Sequence, residues 1–377
     1  MNVSRRRRAF LVLLLFAGVV GVMLVWPERD DAPQIEYRAF AAGAVTSRSV
    51  YWVGHSLMNA RDDHVPHSQN LLEKVGVLAD ARGLQYHSFD HTFWGSPLSL
   101  LWRGRPHGWD RELPEMPARL RELREHGARY DAMVMTEVIP VRSAIDDEYS
   151  VYYASQFACA LLARNPNARI YLYETWSHLQ AGDPERNYGS PARYEWARHV
   201  REERRDHESI ADRVSAGQVR EPGLKGRLLR YVRSASPCVL REPMFLVPVG
   251  TALASLSDRL REESWDYRGR ALEMADLFFN PYDEWPSDWP REDISETEAR
   301  RIMAELPRRD SSRPHDDIHP SDLGVYFSSL VHFAVLYRQS PEGLPPLAEG
   351  LSEETAHLMQ SLVWSVVRDD PRAGISP

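Results

Sequence analysis

The chain has 377 residues, of which 43% are hydrophobic and 27% charged, and its formal net charge is −8. That composition is globular, and the length allows one large domain or two small ones. The acidic balance gives no support for a nucleic-acid partner, because a surface that tracks phosphates is basic.

The N-terminus departs from the rest. Arg5, Arg6, Arg7 and Arg8 precede AFLVLLLFAGVVGVMLVW, 18 uncharged residues that end at Trp26, just before Pro27. As a helix this run would extend roughly 27 Å, close to the roughly 30 Å of a bilayer's hydrocarbon core. The arginines favour keeping the N-terminus in the cytoplasm and sending the remainder across. No clear small-x-small cleavage site follows the run directly, so an uncleaved signal-anchor is preferred over a cleaved, secreted form. Residues 1–46 are therefore read as a transmembrane segment with its linker. Residues 47–377 are read as a domain on the periplasmic or extracellular side.

From there strand and helix signals alternate. RSVYWVG is a strand candidate. Leu71, Val75 and Leu78 mark a helical face, with Gly83 as its stop. LQYHSFD reads as a strand, Met116, Leu120 and Leu123 as a helix, and DAMVMTEV as a buried strand. Tyr153, Phe157 and Leu161 mark the next helix; RIYLYE and MFLVPVG are the fourth and fifth strands. Residues 180–242 are charged and Arg-rich and read as a helical insertion, either a lid or a solvated excursion. Residues 280–314 read as a long loop with a short helix. Leu323, Tyr326, Phe327, Leu330, Phe333 and Tyr337 form a helical face capped by Ser321 or Asp322. A last helix carries Leu358, Leu362 and Val366.

Strands separated by helices imply βαβ units: an α/β three-layer sandwich with a mainly parallel sheet. Ligands of such sheets collect beyond the carboxyl ends of the strands. Ser56, Gly95, Glu137 and Glu174 all fall near those ends. A serine is a poor nucleophile without a base, and the base needs an orienting acid. Asp316 and His319, with two residues between them in DDIHP, could supply both.

These blocks resemble the SGNH/GDSL hydrolase superfamily. GHSLMN stands where the nucleophile block falls, with His55 where many members carry Asp. WGSPLSLLW is similar to the second block, and DDIHPSDLG to the last. The resemblance covers about residues 49–339 without the insertion. It implies an SGNH/flavodoxin-like fold with Ser56 as nucleophile, His319 as base and Asp316 as its orienting partner. It also implies an oxyanion hole built from the amides of Ser56 and Gly95. Many members place an Asn in the third block; here Thr136 and Glu137 stand there, and Thr136 is the candidate third donor. An ionised Glu137 cannot donate to an oxyanion. His55, Glu137, Trp94 and Trp176 are candidate pocket residues.

The expected activity is that of a serine esterase acting on a small ester, such as an O-acetyl group on an exported polysaccharide. An acyltransferase using the same triad and a non-catalytic glycan-binding or partner-binding envelope protein are the alternatives. No cofactor is expected. His64, His67, His87, His91 and their neighbouring aspartates are the residues from which an N/O metal site could be built. No paired ligand motif such as HExxH appears, so no metal is expected either. Cys159 lies in the apolar FACALLA and reads as core, although export would permit a bridge to Cys238.

Overall fold

The computed structural model describes residues 33–40, 45–59, 70–104, 115–179, 192–222, 238–278 and 318–375. Five parallel strands form the central sheet: β1 (Ser47–Gly54), β2 (Gln85–Thr92), β3 (Ala132–Met135), β4 (Arg169–Tyr173) and β5 (Phe245–Val247). Their order is β2-β1-β3-β4-β5. In register, Val50 stands opposite Ser88 on one side and Ala132 on the other. After β2 the chain returns to the far side of β1, so the winding reverses between β1 and β3. That reversal is the topological switch point, where side loops part and leave a crevice.

Residues of β1 alternate between two cores, as a period of two requires. Val50 and Trp52 join one cluster; Tyr51 and Val53 join the other. The first is closed by α1 (Leu71–Ala81), α7 (Val249–Glu262), α8 (Asp322–Tyr337) and α9 (Glu353–Asp369). The second is closed by α2 (Leu98–Arg103), α3 (Glu115–His126) and α5 (Ser150–Leu162). Helix α4 (Val141–Asp147) lies beyond the end of β3, and a small antiparallel hairpin pairs β6 (Asp266–Tyr267) with β7 (Arg270–Ala271). The α/β class with helices on both faces of a mostly parallel sheet is thus present.

Local signals set the helix ends. Asn70 accepts from the amides of Leu72 and Glu73 at the start of α1, and Gly83 takes a left-handed φ of 68° just past its end. Ser321 caps α8 through the Gly324 amide, settling the choice between Ser321 and Asp322. Gly324 is required there by packing, since a Cβ would lie 2.0 Å from the Leu277 carbonyl oxygen.

Several expectations change. The described part of the charged region, residues 192–222, contains α6 (Ala192–Ser215), which lies between β4 and β5 in the chain. Its Trp196, Ala197 and Val200 pack in the first core, and Ile210, Ala211 and Val214 in the second. A helix that feeds both cores is part of the sandwich rather than a lid or a solvated excursion; the rest of residues 180–242 is described only in 238–242. Helix α7 carries no counterpart in the sequence reading, because the apolar run MFLVPVG merges its start with β5. Pro248 separates the two. Cys159, read as plain core, is joined to Cys238 by a disulfide. The expected membrane helix and the 280–314 loop lie outside the described residues. Among the described residues no helix is long and apolar enough to cross a membrane.

Candidate active site

Strand β1 ends at Gly54, and the chain turns at once through His55, Ser56 and Leu57, with the Met58 amide donating to the His55 carbonyl oxygen at 2.9 Å. Glycine is needed before the turn. A Cβ at Gly54 would meet Thr136 Cγ2 at 2.6 Å and Met58 Sδ at 2.9 Å, so β3 could not pass this close. Ser56 is buried at the switch point, only 6% exposed.

His319 reaches it from the other end of the chain. His319 Nε2 lies 2.7 Å from Ser56 Oγ, across 263 positions of sequence. Three anchors hold the histidine segment. The Ile318 carbonyl oxygen accepts from Trp176 Nε1 at 3.0 Å, the Ser321 amide donates to the Leu277 carbonyl oxygen at 3.0 Å, and the Trp94 indole stacks on the His319 ring. Asp316 lies outside the described residues.

The pair opens into a cavity of about 520 Å³, lined by His55, Ser56, Gly95, His178 and His319 and walled by Val138 to Pro140 and helix α4. Gly95 has φ of 57° and is exposed at the rim, a conformation that favours glycine. Neutral imidazole is the state burial imposes on His55, whose pKa falls to about 4; the nearby His319 adds to the fall, while the bond to Glu137 opposes it. Its Nε2–H donates to the Glu137 carbonyl oxygen at 2.9 Å, which fixes the tautomer.

Other expected residues do not face the cavity. Thr136 is fully buried; its amide donates to the Val53 carbonyl oxygen at 3.0 Å and its hydroxyl to that of Tyr173 at 3.2 Å. Both of its donors are therefore committed to the sheet, and its expected role as third oxyanion donor lacks a free group. Trp176 is packed against Tyr173 and Phe278. It acts on the site through Ile318 rather than as a pocket wall. Trp94 reaches the site through the His319 ring. Glu137 is also outside the lining: its Oε1 accepts from the amides of Val138 at 2.9 Å and Leu98 at 3.2 Å. Burial raises its pKa to about 7, against hydrogen bonding from Ser150, Val138 and Leu98. Among the described residues Oε2 finds no hydrogen bond of ordinary geometry, although the Ser150 hydroxyl is near enough to favour the ionised form.

Glu174, at the end of β4, belongs to a buried network instead of the site. It meets Arg204 Nη1 at 2.9 Å and Thr251 Oγ1 at 2.7 Å, and Arg204 goes on to Asp370 at 2.7 Å. A pairing this complete is what a buried carboxylate needs. Among the described residues no group of three or more His, Cys, Asp or Glu is arranged to hold a metal ion. His64 and His67 lie outside them, and His91 is buried against Tyr51, with Nδ1 2.7 Å from its hydroxyl.

The sequence reading missed His178, the VIP corner and α4. None carries a motif; they reach the cavity because β3 ends beside β1 and β4 ends beside β3.

Fold and site together define an α/β protein with a serine–histidine pair at the switch point of a doubly wound sheet. No protein-family model matches the chain, and no curated protein matches it in sequence. Among solved structures, a DUF4886 family protein from Bacteroides uniformis is similar over 85% of this chain and 95% of that one, with 14% identity and a TM-score of 0.42.

Proposed function

We propose that this chain is a serine esterase of SGNH type, with Ser56 as nucleophile and His319 as base. The observation that carries the reading is the 2.7 Å contact between Ser56 Oγ and His319 Nε2 at the mouth of a cavity. Hydrogen-bond reach between nucleophile and base is the first geometric requirement of such chemistry. Asp316, from the DDIHP block, is the proposed orienting acid.

In the proposed reaction Ser56 Oγ attacks the ester carbonyl carbon as its proton passes to His319 Nε2. The oxyanion is received by the backbone amides of Ser56 and Gly95. The C–O bond to the alcohol then breaks, and His319 returns its proton to the leaving oxygen, which leaves an acyl-Ser56. Water attacks that acyl carbon with its proton going to His319, and the acid departs as Ser56 is reprotonated. Replacing water by a sugar hydroxyl turns the same sequence into acyl transfer. Removing one oxyanion donor typically lowers rate by about 10²–10³.

The corner made by Val138, Ile139, Pro140 and Ala144 is apolar and would receive the acyl group. The basic and apolar N-terminus supports a membrane-anchored domain outside the cytoplasm, and the Cys159–Cys238 disulfide supports the same compartment. O-acetyl groups on an envelope or exported polysaccharide are therefore the proposed substrates.

A fluorophosphonate probe tests the reading. Labelling of the wild type, its loss in Ser56→Ala and a strong reduction in His319→Ala are the expected results. A folded wild type that resists labelling would overturn it and leave a glycan-binding or partner-binding role.

A further inference from the structure

Glu137 stands where a donor to the oxyanion was expected, yet it is fully buried and turned from the cavity. Its contacts tie the chain after β3 to two separate stretches. Its carbonyl oxygen accepts from His55 Nε2, beside Ser56. One carboxyl oxygen accepts from the Leu98 amide, three residues after Gly95, and the same oxygen accepts from the amide of the adjoining Val138.

The Leu98 contact answers a local need. Helix α2 starts at Leu98 behind Pro97, which supplies no side-chain cap. The first amides of a helix have no partner within it and require one from elsewhere. Here the acceptor comes from a different strand, so the cap also fixes the distance between the Gly95 turn and β3. His55 fixes the nucleophile turn to the same residue.

Resting on the esterase reading, we infer that Glu137 is a positioning residue: its carboxyl oxygen holds the Gly95 turn, through the Leu98 amide, against the chain after β3, whose main chain already carries the Ser56 turn through His55. The link needs an oxygen at the reach of Glu, with or without charge. Protonation leaves Oε1 an acceptor, and the other titratable groups beside it, Glu148 and the neutral His55, do not replace that contact.

Hydrolysis of p-nitrophenyl acetate by Glu137→Gln, Glu137→Asp and Glu137→Ala tests this, with fluorophosphonate labelling of Ser56 and thermal melting alongside. Glutamine keeps the acceptor at full reach, so kcat should stay within about threefold of wild type. Aspartate keeps the charge but falls one methylene short of Leu98, and alanine removes the acceptor; kcat should fall tenfold or more in both, with KM within about threefold. If alanine does not fold, the Gln–Asp contrast decides. Equal kcat in folded Gln and Asp variants, or a loss confined to KM, would overturn the inference. An unlabelled, inactive wild type would instead overturn the esterase reading on which it rests.

Discussion

The Trp94 indole lies on the His319 imidazole with ring centroids 5.4 Å apart and planes within 15°. The stack fixes the ring while its Nε2 meets Ser56, and in the proposed reaction it sets an aromatic face against an imidazole that becomes cationic as it takes the serine proton. Aromatic faces stabilise such cations by about 0.5–2 kcal/mol.

Replacing that face should therefore slow the reaction without emptying the pocket. Trp94→Leu is expected to lower kcat on p-nitrophenyl acetate roughly 3- to 30-fold, with little change in KM, whereas Trp94→Phe should retain most of the rate. Equal rates in wild type and Trp94→Leu would show that the stack has no part in proton transfer.

Gly54 and Thr136 make a second pair, one that controls how closely β1 and β3 end. A methyl at Gly54 would fall 2.6 Å from Thr136 Cγ2. Overpacking of this kind costs about 1–3 kcal/mol. Gly54→Ala should lower the melting temperature and weaken Ser56 labelling together. Thr136→Ser removes the clashing methyl while keeping a hydroxyl for Tyr173, so the double variant should recover part of both losses. Strictly additive losses would refute the contact.

Stability should also depend on pH. Burial lowers the pKa of His55, His207 and His332 from 6.5 to about 4, and that of His91 to about 3. The unfolded chain takes those protons near 6.5 and the folded chain does not, so this contribution is complete above 6.5 and is lost as pH falls through about 4. Burial raises Glu137 and Glu174 from 4.5 to about 7, which has the opposite sign: their contribution is complete below 4.5 and is lost as pH rises through about 7. Between 6.5 and 4.5 four histidines oppose two carboxyls, and the histidines prevail. The melting temperature should fall from pH 6.5 to 4.5. His332 packs against Trp52 and Tyr173, so His332→Phe should fit and make that fall smaller. An unchanged slope would mean that His332 is not held neutral.

Much of the framework was legible in local pattern. The strands around Trp52, Met133 and Leu172 are short apolar runs bounded by polar or turn residues, and both faces of such strands are buried. The helix of Leu71, Val75 and Leu78 ends where Gly83 can turn left-handed. Helix α7 escaped because Pro248 divides one apolar run into a strand and a helix, and periodicity cannot place that boundary. The charged helix α6 misled because its many arginines and glutamates hide a narrow apolar stripe, although Arg204 itself is largely buried against Glu174 and Asp370.

By itself the sequence determined the α/β class, because strand and helix periods and turn-forming residues act over a few neighbours, and the resemblance of its GHSL, WGSPLS and DDIHPS blocks singled out Ser56, Gly95 and His319. Only the tertiary structure decided what those residues meet. The order β2-β1-β3-β4-β5 puts the ends of β1 and β3 side by side and brings His319 to Ser56. The same packing commits Thr136 to Tyr173, gives Glu137 to the Leu98 amide and joins Cys159 to Cys238. Hydrogen bonds, steric fit and burial depend on distances between remote segments, and those distances exist only once the sheet is assembled.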